Sequence, residues 1–307
     1  MSNRELNNLH VSVRQRLYTV AKKRGEDFNS LLRRYFQERF LYRVSVSNYA
    51  KFFILKGAQL IIAHQIDPLR TTKDIDFLGI NFPTRREDIS TAIREIATIS
   101  YPDGVVYSLD EQRTEDILEG KAYKGVRFHL ICRLGTAKSN IQIDIGFGDV
   151  ITPHPDILDF PVVLPYDNPR LFVYTLESAI AEKFETIVVL GLATSRIKDY
   201  FDLYYLAKNK HFSMSRLKSA VAETFQNRNT PLTAATAILT PEIASDEELI
   251  KLWNSYLKRN PHISYLPFSE AHHIISKFLF GILENAGQQK VELFWNPDVL
   301  EWLPDIE

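Results

Sequence analysis

Two short apolar segments of the chain carry carboxylates, and they constrain the fold more than any other feature. In the first segment, Asp74-Ile75-Asp76 precedes Phe77 and Leu78. Residues two apart in a strand face the same side, so a strand here places Asp74 and Asp76 together with apolar residues behind them. Two carboxylates this close repel each other unless a cation neutralises them. The segment therefore predicts a strand with a cation site, although an isolated Asp-x-Asp also occurs in surface turns.

The second segment is Ile141-Gln142-Ile143-Asp144-Ile145, in which Asp144 interrupts an apolar strand pattern. A carboxylate is rarely placed among apolar residues without a partner. One alternative is an edge strand whose Asp144 faces water. Beside Asp74 and Asp76, however, a third carboxylate on a neighbouring strand would complete the set used in two-metal phosphoryl transfer. Because oxygen ligands suit hard cations, we predict that these three aspartates bind Mg²⁺ or Mn²⁺.

The first 45 residues have the apolar spacing of two helices, with Gly25 as a stop and Asp27 as a cap for the second helix. On that second helix Arg33, Arg34 and Arg39 lie off the apolar stripe. From about residue 50 the pattern becomes mixed α/β. The predicted elements are a strand at 52–55, a helix at 60–63, a strand at 75–78, a helix at 89–99, and strands at 123–132 and 140–147 joined by a hairpin turn at 135–139.

Five prolines between Asp149 and Pro169 indicate a domain boundary. The following chain is mostly helical, with candidate caps at Thr175, Ser195 and Ser245. We therefore predict an α+β protein in which residues 1–164 form a mixed sheet flanked by helices. Residues 165–307 then form a mainly helical C-terminal domain. The region 210–307 carries no motif that indicates a function.

Three further residue groups indicate phosphate chemistry. Lys56-Gly57-Ala58 ends an apolar run at the start of a helix, where glycine lets backbone N–H groups approach a phosphate, or simply makes a tight turn. Lys183 interrupts the apolar face of the 175–190 helix, where it either meets an anion or extends its ammonium to water. On the next helix Asp199 and Asp202 lie one turn apart, and helical spacing allows Lys183 to face Asp199 or to share a cleft with it. Asp199 could equally be a first-turn acid that favours the helix dipole.

Composition narrows the class of protein. The chain has 307 residues, a net charge of −1 and one cysteine, Cys132, which argues against a disulfide scaffold and a cysteine-based zinc cluster. No apolar run approaches the roughly 20 residues of a membrane helix, and the first 15 residues are polar. We therefore expect a cytoplasmic protein without a membrane partner. Residues 1–50 have ten Lys/Arg and four Asp/Glu, whereas 231–307 have five and eleven, so the near-neutral total leaves an RNA partner open.

Taken together, the motifs resemble those of a known family. Residues 53–58 and 70–76 are similar to the first motif of the DNA polymerase β-like nucleotidyltransferases, and residues 142–149 look like the strand with the third carboxylate. Residues 181–185 and 195–199 resemble the two later motifs of the AbiEii/AbiGii-type nucleotidyltransferase toxins. The resemblance covers about residues 10–208 and keeps the family's motif order.

This resemblance implies a metal-dependent nucleotidyltransferase, the toxin of a bacterial toxin–antitoxin or phage-defence pair. It implies that Asp74, Asp76 and Asp144 hold the metal, and that Lys183 and Asp199 of the helical domain contribute to the site as catalytic residues. The triphosphate would contact a group of nucleotide-binding residues comprising Lys56, Gly57, Ala58, Thr72, Lys73 and Lys183.

The implied substrates are a nucleoside triphosphate and an RNA acceptor, for which a tRNA 3′ end is one candidate, and the implied partner is a cognate antitoxin. Ala58 stands where the superfamily usually has Gly or Ser, so a serine hydroxyl contact to phosphate is missing. Two alternatives therefore stay open. One is a catalytically retired binding protein with this fold, and the other is nucleotidylation of a small molecule or a protein.

Overall fold

The computed structural model describes residues 3–65, 72–119, 122–194, 196–261, 263–284 and 291–304. By their internal contacts the residues group into two units. The first comprises Met1–Gly148 with Pro155–Tyr174, and the second comprises Asp149–His154 with Thr175–Glu307. The limits 1–164 and 165–307 stay a prediction of domain organisation.

Among the described residues, seven strands of the first unit form one mixed sheet in the order β3-β4-β5-β2-β1-β7-β6. Strand β2 runs parallel to β5 and antiparallel to β1. Because β5 lies between β4 and β2, the edge-strand alternative for Asp144 is wrong. The strands are β1 Phe53–Lys56, β2 Asp74–Gly79, β3 Val106–Glu119, β4 Ala122–Leu134, β5 Ala137–Gly146, β6 Asp156–Asp159 and β7 Arg170–Val173.

The helices of the first unit are α1 Asn3–Arg24, α2 Phe28–Ser45, α3 Gly57–Ala63 and α4 Arg86–Thr98. As predicted, Asp27 caps α2, since its carboxylate accepts a hydrogen bond from the Ser30 N–H at 2.8 Å. Helix α2 packs against α1, α4, β5 and β7. Helix α2 is therefore buried on nearly all sides. The prediction that Arg39 lies off the apolar face is wrong, because this side chain is fully buried.

Strand β3, the longest of the described strands, has no strand pattern in its sequence. Its residues are mostly polar, because β3 is an edge strand paired only with β4 and many of its side chains are exposed. The short strand β6 lies in the proline-rich segment, where turn residues outweigh a four-residue strand pattern. An alternation of apolar and polar residues indicates a strand with one buried face. Strands β3 and β6 bury few of their side chains, so this pattern is weak in them.

The second unit is mainly helical, as predicted. Thr175 caps the first helix and Gly191 ends it, which confirms both assignments. Asp246, and not Ser245, caps the helix at 247, because its carboxylate accepts the hydrogen bond from the Leu249 N–H. Ser195 lies outside the described residues. The elements are α5 Leu176–Leu190, α6 Ile197–Asn209, β8 Phe212–Ser213, α7 Met214–Asn227, α8 Pro241–Ala244, α9 Glu247–Arg259, α10 Phe268–Glu284, β9 Leu293–Asn296 and β10 Glu301–Pro304, with 3₁₀ turns at Gly191–Ala193 and Leu232–Leu239.

The region 210–307 also contains a feature that the sequence did not predict. Strands β8, β9 and β10 form a small antiparallel sheet, in which Trp295 is buried and donates a hydrogen bond to the Ala207 carbonyl at 2.6 Å. Within the described part of the chain, every helix is too short or too polar to cross a membrane.

Candidate active site

One rung of the large sheet carries a charged residue on each of five neighbouring strands. Glu115, Arg127, Asp144, Asp76 and Lys56 are paired in register across β3, β4, β5, β2 and β1. Residues paired directly across strands share a face of the sheet and interact. We call this set the charged row. Its signs alternate except between Asp144 and Asp76, where two carboxylates are neighbours on parallel strands.

Asp144 is held by an arginine on the neighbouring strand. The Arg127 Nε donates to Oδ1 of Asp144 at 2.9 Å, and Nη2 donates to Oδ2 at 2.8 Å. The Gln142 Nε2 lies 3.2 Å from both oxygens. These bonds raise the pKa of the Arg127 guanidinium, so it stays charged at physiological pH. The pair is only partly covered, with side-chain exposures of 36% for Arg127 and 16% for Asp144.

Asp74 belongs to the next position on the same face of β2. It is paired in register with Gln142 of β5 and is half-buried, as Asp76 is. The Thr72 hydroxyl accepts a hydrogen bond from the Asp74 N–H at 3.3 Å and lies 3.2 Å from the Asp74 carbonyl. Thr72 therefore fixes the backbone at the start of the strand, whereas Lys73 is exposed.

The donor set suits a divalent cation in chemistry and in register. Asp74, Asp76 and Asp144 supply carboxylate oxygens from one face of two adjacent strands, and their mutual repulsion favours a cation there. A preformed cage is nevertheless absent: among the described residues, no three Asp, Glu, His or Cys side chains are arranged to hold a metal ion together. The bidentate contact between Asp144 and Arg127 means that a cation there would have to compete with the guanidinium for Asp144.

Gly57 lies against the Asp76 carboxylate. Its φ of +66° is a left-handed conformation that glycine adopts without strain, and a Cβ atom here would overlap the Asp76 carboxylate oxygen. The strand-to-helix turn thus requires glycine for backbone conformation and for close packing. The neighbouring Lys56 ammonium lies 5.3 Å from the centroid of the Tyr174 ring, and the Ala58 side chain is buried in α3. A ligand contact by Ala58 would therefore have to use its backbone.

A second cluster of charged side chains joins α5 and α6. The Lys183 ammonium donates to Asp199 Oδ1 at 2.9 Å and to Asp202 Oδ2 at 2.7 Å. Asp199 also accepts from the Arg196 Nε at 2.8 Å. Both aspartates are buried, while Lys183 keeps 13% of its side chain exposed. This cluster therefore contains two acids and two cations. The lysine has the anionic partners that its position in an apolar stripe predicts.

Arg127, Gln142 and Arg196 are not among the site residues predicted from the sequence. A signal for the first exists in β4, where Arg127 and His129 alternate with the buried Val126, Phe128 and Leu130. That alternation identifies a polar face, but the partner of Arg127 depends on a cross-strand register that one sequence does not reveal. Arg196 directly precedes α6, three residues before the acid that it binds.

Comparisons with known proteins agree with this architecture. A family model described as nucleotidyl transferase AbiEii toxin, type IV toxin–antitoxin system, matches residues 39–268. Among solved structures, MenT4, a nucleotidyltransferase toxin from Mycobacterium tuberculosis, is 14% identical with a TM-score of 0.54, covering 87% of this chain and 98% of its own. JHP933 from Helicobacter pylori is 11% identical with a TM-score of 0.53, covering 84% and 94%. These likenesses show the fold, and a comparison with curated protein sequences finds no match.

Proposed function

Because this chain belongs to the AbiEii family of nucleotidyltransferase toxins, we propose that it transfers a nucleoside monophosphate from a nucleoside triphosphate to an acceptor hydroxyl in a metal-dependent reaction. In the cell it would act as the toxin of a toxin–antitoxin or phage-defence pair, and a cognate antitoxin protein would be its partner. The preferred acceptor is RNA, with a tRNA 3′ end as the leading candidate.

The observation that carries this proposal is the register between β2 and β5. It sets Asp76 beside Asp144, with Asp74 on the same face of the sheet, so that three carboxylates lie on one face of two adjacent strands. Neighbouring carboxylates have no packing role and cost stability unless a cation compensates them. A divalent cation held by Asp74, Asp76 and Asp144 would neutralise the triphosphate and increase the acidity of the attacking hydroxyl.

In the proposed reaction the acceptor oxygen attacks the α-phosphorus, and the bond from that phosphorus to the bridging oxygen of the pyrophosphate breaks. The hydroxyl proton leaves to solvent or to a carboxylate, and pyrophosphate carries away the electron pair. The backbone of the Lys56–Ala58 turn, with Thr72 and Lys73, would bind the triphosphate. Gly57 supports this role because it brings the turn backbone against Asp76.

In the second unit we assign a phosphate-binding role to Lys183 and a positioning role to Asp199. The ammonium already binds two carboxylates, so it is held in place, and a phosphate oxygen would have to share or replace one of them. Asp199 has one oxygen on Lys183 and the other on Arg196, which suits an acid that orients cations. A role for Asp199 as a general base would require these contacts to open.

An RNA acceptor is supported by charge on α1. The side chains of Arg14, Lys22, Lys23 and Arg24 are exposed there, whereas Arg39 and Arg43 of α2 are buried and take no part in surface electrostatics. Exposed cations supply the sequence-independent attraction to phosphates. A small-molecule acceptor would need no such surface.

The test is incubation of the purified protein with each of the four labelled nucleoside triphosphates, Mg²⁺ and total RNA, with a protein extract and small molecules as parallel acceptors. We expect label on RNA that disappears with Asp76→Asn and is retained with Glu111→Gln, which removes a carboxylate charge elsewhere in the sheet. Label on another acceptor would redirect the substrate assignment. A complete lack of transfer at several protein concentrations would contradict the proposed activity.

The alternative of a retired binding protein is favoured by one observation, the engagement of both Asp144 oxygens by Arg127. In that case the arginine permanently replaces the metal. Nucleotide binding that persists in Asp76→Ala, together with a wild-type protein that transfers nothing, would support this alternative.

A further inference from the structure

We propose that Arg127 is a built-in counter-ion of Asp144 that competes with the catalytic metal, so that the site binds divalent cations weakly until a nucleotide is present. This inference rests on the proposed function and assigns a role to a residue outside the motifs. It makes Arg127 a positioning residue, because it acts through Asp144.

The geometry of the pair supports competition with the metal. Both Asp144 oxygens accept from the same guanidinium at 2.8–2.9 Å, and both also lie near the Gln142 amide. A carboxylate that already accepts charge-assisted bonds at both oxygens has less negative charge and fewer lone pairs for a cation. A metal at Asp144 must therefore share or displace these bonds.

The surroundings of the pair show that Arg127 is not locked in place. Its side chain is 36% exposed. A second carboxylate is also within reach, since the Arg127 Nη1 lies 3.9 Å from Oε1 of Glu115. Glu115 is the next member of the charged row and is 58% exposed. If a metal takes Asp144, the guanidinium can move toward Glu115 and remain paired. The row therefore contains an alternative partner for the displaced cation.

The charge of Arg127 determines whether its removal raises or lowers the metal affinity of the site. A guanidinium beside the metal position repels a divalent cation, so a neutral residue in its place should raise the metal affinity of the site. An uncharged residue that only orients a metal ligand has the opposite effect on metal affinity. Removing such a residue lowers the metal affinity by about 10–100-fold. Nucleotide would offset the repulsion, because its triphosphate adds negative charge and metal ligands. By linkage, metal and nucleotide must then strengthen each other's binding.

The experiment measures Mn²⁺ binding directly, by electron paramagnetic resonance of the free ion, with the full-length protein and no nucleotide. The variants are Arg127→Gln and Arg127→Met, which remove the charge, and Arg127→Lys, which keeps it. Arg133→Gln is the matched control, since Arg133 is on the same strand but is paired with Ser108 and Glu111. Asp76→Asn identifies the binding that belongs to the site, and thermal unfolding confirms that each variant is folded.

We expect the two neutral variants to bind Mn²⁺ on the order of tenfold more tightly than the wild type, while Arg127→Lys and Arg133→Gln stay close to it. Adding a non-hydrolysable nucleoside triphosphate should tighten Mn²⁺ binding more in the wild type than in Arg127→Gln. Equal or weaker binding by both neutral variants, with binding still dependent on Asp76, would overturn the role of Arg127 and leave the proposed activity standing. A lack of Asp76-dependent Mn²⁺ binding in every variant would instead overturn the metal site of the proposed function, and this inference with it.

Discussion

Two arginine–aspartate pairs in the first unit have the same bidentate chemistry in different surroundings. Arg43 of α2 donates to both oxygens of Asp103, at 2.7 and 3.1 Å, and both side chains are almost fully buried. Arg127 donates to both oxygens of Asp144 at nearly the same distances, but this pair is partly exposed and Asp144 has a second carboxylate as its neighbour.

The difference shows which pair is structural. The remaining bonds of Arg43 go to the carbonyls of Ile99, Arg39 and Val105, so the guanidinium is saturated and connects α2 to the segment before β3. The Asp103 charge is fully matched by its arginine. In the charged row, by contrast, the acids outnumber the cations. An excess of negative charge at a partly exposed position is stabilised when a cation binds there. A balanced buried ion pair needs no further ligand and has a structural role.

The same substitution in each pair, Asp144→Asn and Asp103→Asn, tests whether one pair serves activity and the other stability. We expect Asp144→Asn to reduce nucleotide transfer by at least about 100-fold, because it removes a metal-binding charge while its amide oxygen still accepts from Arg127. Its unfolding temperature should stay close to that of the wild type. Transfer assays and thermal unfolding of the same samples measure both effects, and full activity in Asp144→Asn would place the chemistry elsewhere.

Gly57→Ala tests the other side of the charged row. The added methyl group overlaps the Asp76 carboxylate and the backbone has a positive φ, so the Asp76 side chain must move away from its position beside Asp144. We expect a loss of transfer of about 10–100-fold, the range for disturbed metal-ligand orientation. Gly25→Ala is the control for backbone strain alone, since Gly25 has the same φ with open space around it. Equal activity in the two alanine variants would show that Asp76 does not depend on this packing.

Asp103→Asn should have the reverse effect of Asp144→Asn. Removing one partner of a buried pair leaves Arg43 with an uncompensated charge, which costs about 3–5 kcal/mol of stability. For a unit of this size we expect the unfolding temperature to fall by roughly 10 °C. The Mn²⁺ affinity of the folded protein should not change, and a weakened Mn²⁺ site would mean that the two pairs are coupled.

The smallest effect concerns Glu38, a buried acid of α2. Burial raises the pKa of Glu38 to about 8, even though Arg39 lies 3.7 Å away and the Val163 N–H donates to it. Between the unfolded pKa near 4.5 and this value, the folded state holds a proton that the unfolded state has released. Stability therefore falls as pH rises through this window, by on the order of 1–3 kcal/mol. Glu38→Gln should flatten the pH profile of thermal unfolding, and an unchanged slope would contradict the assignment.

These contrasts also show what one sequence can predict. The strands of Asp74, Asp76 and Asp144 were predictable because isoleucines alternate with the acids and bury the opposite face. The contact of Lys183 with Asp199 was one of the arrangements that helical spacing across a short connection allowed. The partner of Arg127 and the overlap at Gly57 were not predictable, because each depends on the exact register between neighbouring strands, which a shift of one residue changes. The burial of Arg39 was not predictable either, because the spacing of residues on α2 does not show how many elements pack around that helix.

We propose that nucleotide transfer depends on the carboxylates of β2 and β5. The most direct measurement is induction of the wild type and Asp74→Ala in growing cells at equal protein levels, with growth and the 3′ ends of cellular RNA followed together. We expect that the wild type inhibits growth while nucleotides are added to RNA, and that Asp74→Ala does neither. Equal growth inhibition by both proteins would contradict it, because toxicity would then be independent of the carboxylates.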